Sequence, residues 1–459
     1  MELKNLKTVY FLGIGGIGMS ALARYFKANG SIVSGYDKMP TPLTTELQNE
    51  GIDVHFDENI SAIPSNTDLV IFTPAIPKDH KELIHILEIG LPIKKRAEVL
   101  GMITKQTTTI AIAGTHGKTT ITSLVSHILK QSDKAITAFM GGISKNYDTN
   151  FLLSPNSNIT VVEADEFDRS FLTLFPDVGI ISSMDADHLD IYGSKEYLVE
   201  SFELFAGQIK KGGKLILKKG LTIPENENFE IFYYSLNDVT ADFYASNIYL
   251  VDGKYHFELN HKNENCGTFN FGFPGLHNVE NAVAAIASAI TIGIDISKIK
   301  KAITSYTGVK RRFDKRVDLA DVVYIDDYAH HPEELRACIT SVRDIYPRKK
   351  ITGIFQPHLF SRTRDFADEF AKSLSLLDEL ILLDIYPARE LPIEGITSQM
   401  LLDKVTIENK ILVSKEELIP EVLKRKLEVL LTLGAGDIDQ LVMPIEKSLT
   451  NIYKAIKGF

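Results

Sequence analysis

Thr108-Thr109-Ile110-Ala111-Ile112-Ala113-Gly114-Thr115-His116-Gly117-Lys118-Thr119-Thr120 is the stretch on which the reading of this chain turns. A short apolar run passes through two glycines into the helical periodicity of Lys118–Lys130, so the spacing predicts a buried strand, a tight turn and a helix. Glycine lets the backbone curl until successive N–H groups face one anion, and the helix N-terminus adds a favourable dipole. Gly114, Thr115, His116, Gly117, Lys118, Thr119 and Thr120 are therefore expected to cradle the phosphates of a nucleotide such as ATP. Lys118 is placed to reach the terminal phosphates, and Thr119 to put its hydroxyl on Mg²⁺. The loop is shorter than the common phosphate loop, whose first glycine would fall at Ile112.

Downstream, Ile159-Thr160-Val161-Val162-Glu163-Ala164-Asp165-Glu166 reads as an apolar strand ending in carboxylates. A metal-ligating acid belongs there in a phosphate-loop sheet, which makes Glu163 a candidate ligand. The next strand runs into Asp185-Ala186-Asp187-His188-Leu189-Asp190. Acids and an imidazole at neighbouring strand ends converge on the crevice where α/β sheets bind ligands, and His188 joins the metal and catalytic candidates on that ground.

Upstream, Gly13-Ile14-Gly15-Gly16-Ile17-Gly18 follows an apolar run and opens a helix, and Asp37 ends the next strand nineteen residues later. This is the pattern that seats a diphosphate on a helix N-terminus, with the acid near a ribose hydroxyl. An NAD-dependent oxidoreductase satisfies it, and so does a protein holding a UDP group. A second phosphate loop about 100 residues on is superfluous for the oxidoreductase. It is expected of an enzyme that activates a UDP-linked acid with ATP.

Apolar runs alternating with helical patterns continue along the chain, the mark of α/β folding on mostly parallel sheets. With 459 residues, about three domains are expected. They are a Rossmann-like domain over 1–105, a central phosphate-loop domain over 106–311 and a C-terminal Rossmann-like α/β domain over 312–459. Between about Gly220 and Phe273 alternating Tyr, Phe and polar residues predict a small antiparallel insertion. Formal charge is −10, which argues against general nucleic-acid binding. No apolar run is long enough to span a membrane, and the first residues lack a signal-peptide pattern, so a cytoplasmic protein is expected. Cys266 and Cys338 make no metal spacing and read as packing residues.

With these pieces assembled, the chain resembles the Mur ligase family over essentially its whole length. Beyond the loops already quoted, the resemblance rests on Ser34-Gly35-Tyr36-Asp37, His277-Asn278-Val279-Glu280-Asn281-Ala282, Arg311-Arg312-Phe313, Asp326-Asp327-Tyr328-Ala329-His330-His331-Pro332 and Gln356-Pro357-His358-Leu359-Phe360-Ser361-Arg362-Thr363-Arg364. The last of these resembles the alanine-adding branch. That resemblance implies ATP-dependent ligation of L-alanine to the lactyl carboxylate of UDP-N-acetylmuramate through an acyl phosphate, with ATP and Mg²⁺, in cytoplasmic peptidoglycan-precursor synthesis. It implies no nucleic-acid or membrane partner, and a monomer or weak homodimer.

By the same comparison Gly15, Gly16, Ile17 and Gly18 hold the diphosphate, with Asp37 and Thr73 nearby. Lys118, Thr119 and Thr120 hold ATP and metal, Glu163 and His188 carry metal, and Asn278 and Asn281 contact adenine. Arg312 and Asp327 reach the nucleotide, while Tyr328, His330 and Arg362 line the amino-acid end. His330 is a candidate to orient or deprotonate the amine, with transfer to bulk buffer the alternative; His331 either shares that work or caps the next helix. Tyr36 stands where many relatives have Ser, and Leu359 where some have Arg. Sibling ligases carry a modified lysine after the strand-end histidine, where Ser201-Phe202-Glu203 offers none. The rivals are a sibling ligase taking a tripeptide, the oxidoreductase, and a non-enzymatic nucleotide switch.

Overall fold

The computed structural model describes residues 2–185, 192–262, 264–388 and 390–457, with backbone alone from 453. The chain divides into two compact units. One comprises residues 1–249, 256–271 and 280–307; the other comprises 250–255, 272–279 and 308–459.

In the first unit, Thr8–Leu12 is buried along its whole length, as a central strand covered on both faces must be. It pairs in parallel with Ile32–Tyr36 and Leu69–Phe72. Asp53–His55 and Ile93–Lys95 complete a five-stranded sheet around it. The first strand stops at Leu12, just before the glycine motif. Gly13 turns there with φ +85°, and the Gly13 and Ile14 N–H groups both donate to the Tyr36 carbonyl at 2.8 and 3.0 Å.

The second sheet of this unit has Thr108–Ala113 between Val178–Ile181 and Ile159–Glu163, all parallel. Ile136–Ser144 and Thr149–Leu153 extend it on one side. On the other, Gly213–Lys218 leads to the segment expected as a small antiparallel insertion. That segment is laid on as further strands of the same sheet, Phe229–Ser235, Phe243–Val251, Lys254–His261 and Glu264–Phe271. Its first strand joins in parallel, because Gly213–Lys218 offers an edge whose alternate groups need partners.

Packing continues across the boundary expected near residue 105. Arg24, nearly buried, donates to Glu50 and Glu46 on its own sheet's flank and to Asn150 Oδ1 of the second sheet. Asn150 in turn donates to the Ile17 carbonyl at 2.6 Å. A single apolar core joins Val9, Phe11, Leu22 and Phe26 to Phe139, Phe151 and Phe171.

The second unit is built on a six-stranded sheet ordered 314–318, 323–327, 429–433, 351–355, 379–382 and 410–412. Its first pair is antiparallel and the rest are parallel. Cys266 and Cys338 are unpaired. Among the described residues, no helix is long and apolar enough to cross a membrane.

Candidate functional site

Three clusters of the predicted residues lie at the C-terminal ends of parallel strands, each in its own sheet, where βα connections leave backbone groups and side chains turned toward a ligand. The central cluster is the most complete. Gly114 adopts φ +137° and Gly117 φ +84°, the latter capping the helix Lys118–Gln131. A methyl group on Gly114 would collide with Ser182 Oγ, and one on Gly117 would lie 2.6 Å from Asn281 Oδ1. The loop is also pinned from the neighbouring strand end. Ser183 Oγ accepts from the His116 N–H at 2.8 Å and the Thr115 hydroxyl at 2.9 Å, and Ser182 Oγ donates to the His116 carbonyl.

Lys118 Nζ donates to the Gly114 carbonyl at 2.8 Å and to both oxygens of Glu166, at 2.8 and 2.7 Å. Burial works against the ammonium, but the carboxylates of Glu166, Asp165 and Glu163 outweigh it and hold its pKa above that of ordinary lysine. Glu166 is fully buried, and burial pushes its carboxyl upward against the pull of Lys118. We take the pair as ionised, since both carboxylate oxygens accept from the same ammonium.

Thr119 Oγ1 donates to Glu163 Oε1 at 3.1 Å, and Gly141 N–H donates to Glu163 Oε2 at 3.1 Å. A hydroxyl and a carboxylate are hard oxygen donors. Mg²⁺ takes one or two such protein groups and fills its octahedron with phosphate and water, so the pair fits that ion. Among the described residues no group of three or more His, Cys, Asp or Glu could hold a metal. His188 lies outside the described residues.

At the amino-terminal cluster, Gly15 N–H donates to Asp37 Oδ2 at 2.7 Å. Side chains on Gly15 and Gly18 would meet Asp37 and Arg96 respectively, and one on Gly13 would meet Thr73. Gly16 caps the helix Ile17–Ala28. Tyr36 packs edge-on against His80 with centroids 4.5 Å apart. Arg96, beside Gly18, is a cation that sequence reading missed, because it lies far along the chain at a helix start with no motif around it.

In the second unit, Asp327 ends a fully buried strand. Its Oδ2 accepts from Phe313 N–H at 2.6 Å and its Oδ1 from Ala329 N–H at 2.8 Å. Burial raises its pKa to about 6, against the opposing charge of Arg312. The guanidiniums of Arg311 and Arg312 lie over the Tyr328 ring at 5.2 and 4.9 Å. Asn278 is buried, with Nδ2 donating to the Pro274 carbonyl. His331 caps the helix Pro332–Ile345 by accepting from Glu333 N–H, the structural side of the alternative posed for it. Leu359 holds φ +69° just before the short helix that carries the buried Arg362, a conformation that costs a branched side chain roughly 1–3 kcal/mol.

Three family profiles match successive parts of the chain. They are the Mur ligase family catalytic domain over residues 8–108, the Mur ligase middle domain over 112–289 and the Mur ligase glutamate ligase domain over 311–436. A UDP-N-acetylmuramate–L-alanine ligase of Flavobacterium johnsoniae is 52% identical over 453 residues, covering 98% of this chain and 99% of its own. The protein of the same name from Parabacteroides distasonis is 50% identical over 457 residues, covering 98% of each. Among solved structures, the UDP-N-acetylmuramate–alanine ligase of Thermotoga maritima superposes with a TM-score of 0.81 at 27% identity, covering 98% of this chain and 100% of its own. A murein peptide ligase from Psychrobacter arcticus shares the fold, with a TM-score of 0.72 at 23% identity over 97% of this chain and 99% of its own.

Proposed function

The chain belongs to the Mur ligase family, and from that membership we propose that it joins L-alanine to the lactyl carboxylate of UDP-N-acetylmuramate, converting ATP to ADP and phosphate. The reaction supplies peptidoglycan precursors in the cytoplasm. One observation carries the reading. A loop whose lysine and threonine face Glu166 and Glu163 sits in the same unit as a second glycine turn suited to a diphosphate. The chain around them is half identical, end to end, to relatives named for this reaction.

A carboxylate resists amines because oxide is a very poor leaving group. Attack of the lactyl carboxylate on the γ-phosphorus of ATP expels ADP and leaves an acyl phosphate, whose phosphate departs readily. Lys118 is the cation on the transferring group, and the Gly114–Gly117 backbone holds the remaining phosphates. Bound at Thr119 and Glu163, Mg²⁺ would neutralise charge on the same oxygens. Gly15–Gly18 hold the UDP diphosphate, with Asp37 and Thr73 beside them, and Asn278, Asn281, Arg312 and Asp327 serve the nucleotide. Tyr328, His330 and Arg362 receive the amino acid. The alanine amine attacks the acyl carbon, and phosphate leaves.

Phosphate release measured with ATP, UDP-N-acetylmuramate and Mg²⁺, with and without L-alanine, tests the proposal. Release that tracks amide formation and needs all three reactants is expected. Equal release with ATP alone, or amide formed from a tripeptide and not from alanine, would overturn it.

A further inference from the structure

His330 lies two residues before the helix Pro332–Ile345, and its ring is held from one side only. Nδ1 is 3.0 Å from the Tyr328 carbonyl oxygen and 3.2 Å from Glu334 Oε2. A carbonyl and a carboxylate only accept, so Nδ1 carries the proton and Nε2 keeps the lone pair. Nε2 makes no hydrogen bond to a described residue, while the side chain stays 17% exposed. The second oxygen of Glu334 lies 4.0 Å from Arg312 Nη1. The titratable and charged groups around His330 are thus Glu334, Tyr328, Arg311, Arg312 and His358, whose ring centroid is 6.0 Å away. His277 and Asp327 sit behind them, in the field of Glu334 and Arg312.

We propose that Glu334 is a positioning residue for the amine-transfer half of the reaction, fixing the Nδ1–H form of His330 so that Nε2 accepts a proton from the alanine ammonium group. The inference rests on the ligase reading above. The proton moves from the ammonium nitrogen to Nε2, and the Glu334 carboxylate stabilises the imidazolium that results, as the buried acid does in a hydrolase triad. The freed lone pair forms the C–N bond at the acyl carbon. The C–O bond to phosphate breaks with its electrons on the phosphate, which also takes one of the two protons still on the nitrogen and leaves the amide its single N–H.

A purely structural role has its own support, since Glu334 Oε2 accepts from the His330 backbone N–H at 3.0 Å and so ties down the start of the helix. The test must therefore separate the two halves of the reaction. Hydroxylamine traps acyl phosphates and is already unprotonated at neutral pH, so it needs no base. In the full-length enzyme, Glu334→Gln should reduce alanine-dependent turnover about 100-fold more than hydroxamate formation, the scale of a lost general base. That excess deficit should shrink as pH rises and alanine arrives as free amine, and Glu334→Asp should restore part of the loss. Equal loss of both products, an excess deficit that is constant with pH, or unchanged alanine turnover would overturn the assignment of Glu334. Wild-type enzyme forming neither hydroxamate nor ADP would instead overturn the ligase reading itself.

Discussion

Gly141 lacks a side chain where Glu163 needs the space: a methyl group there would collide with the Glu163 carboxylate, whose Oε2 the Gly141 N–H also holds. Gly141→Ala must therefore push Glu163 away from Thr119 while leaving an ordinary strand backbone intact. The Mg²⁺ concentration for half-maximal turnover should rise by about 10–100-fold, the usual effect of disturbing a ligand's support, with the unfolding midpoint little changed. An unchanged Mg²⁺ dependence would remove Glu163 from the metal. Glu163 stood out in the sequence as a candidate because an acid at the end of an apolar strand has few structural uses. Gly141, Ser182 and Ser183 did not, since each acts through a contact with a distant part of the chain and carries no local pattern; Glu166 lies in the same acidic strand end, but its pairing with Lys118, 48 residues away, was not readable.

The helix that opens at the phosphate loop is the element most firmly specified. Lys118–Gln131 is buried along most of its length, and it ends within one residue of the expected Lys130. Inside it His127, 1% exposed, contacts the Tyr147 hydroxyl at 2.8 Å and Ser305 Oγ at 2.9 Å. Burial lowers its pKa to about 4 from 6.5, so the folded ring stays neutral while the unfolded ring takes a proton below about 6.5. The stability this represents is present above pH 6.5 and is lost as pH falls through 4; it amounts to roughly 3 kcal/mol. Urea unfolding at a series of pH values should show His127→Gln flattening the decline between those limits by up to that amount. An identical decline in the variant would show that His127 titrates normally in the fold. Several central strands, such as Thr108–Ala113 and Ile159–Glu163, were readable from their apolar runs, while Ile136–Ser144 and Thr149–Leu153 were not read. The short edge strands Asp53–His55, Ile93–Lys95 and Lys410–Leu412 were not, because three residues are too few to show a period and their pairing is decided by the neighbouring edge.

At the scale of the molecule, three mostly parallel sheets carry the candidate residues at their strand ends, and the proposed reaction assigns the diphosphate, the triphosphate and the amino acid to one sheet each. The alternation of apolar runs and helices made that plan legible. It could not show that 229–271 would lengthen the central sheet, or that Arg24 and Asn150 would join the first two sheets. Both are settled by long-range packing between segments more than 100 residues apart in the case of Arg24. The plan makes sense for a reaction that must bring a UDP-linked acid, ATP and an amine together through one activated intermediate. Its most direct test is turnover with UDP-N-acetylmuramate carrying oxygen-18 in the lactyl carboxylate, followed by mass analysis of the phosphate released. The account predicts one labelled oxygen in each inorganic phosphate, carried over when the acyl phosphate is cleaved by alanine. Unlabelled phosphate accompanying full conversion to the amide would contradict it.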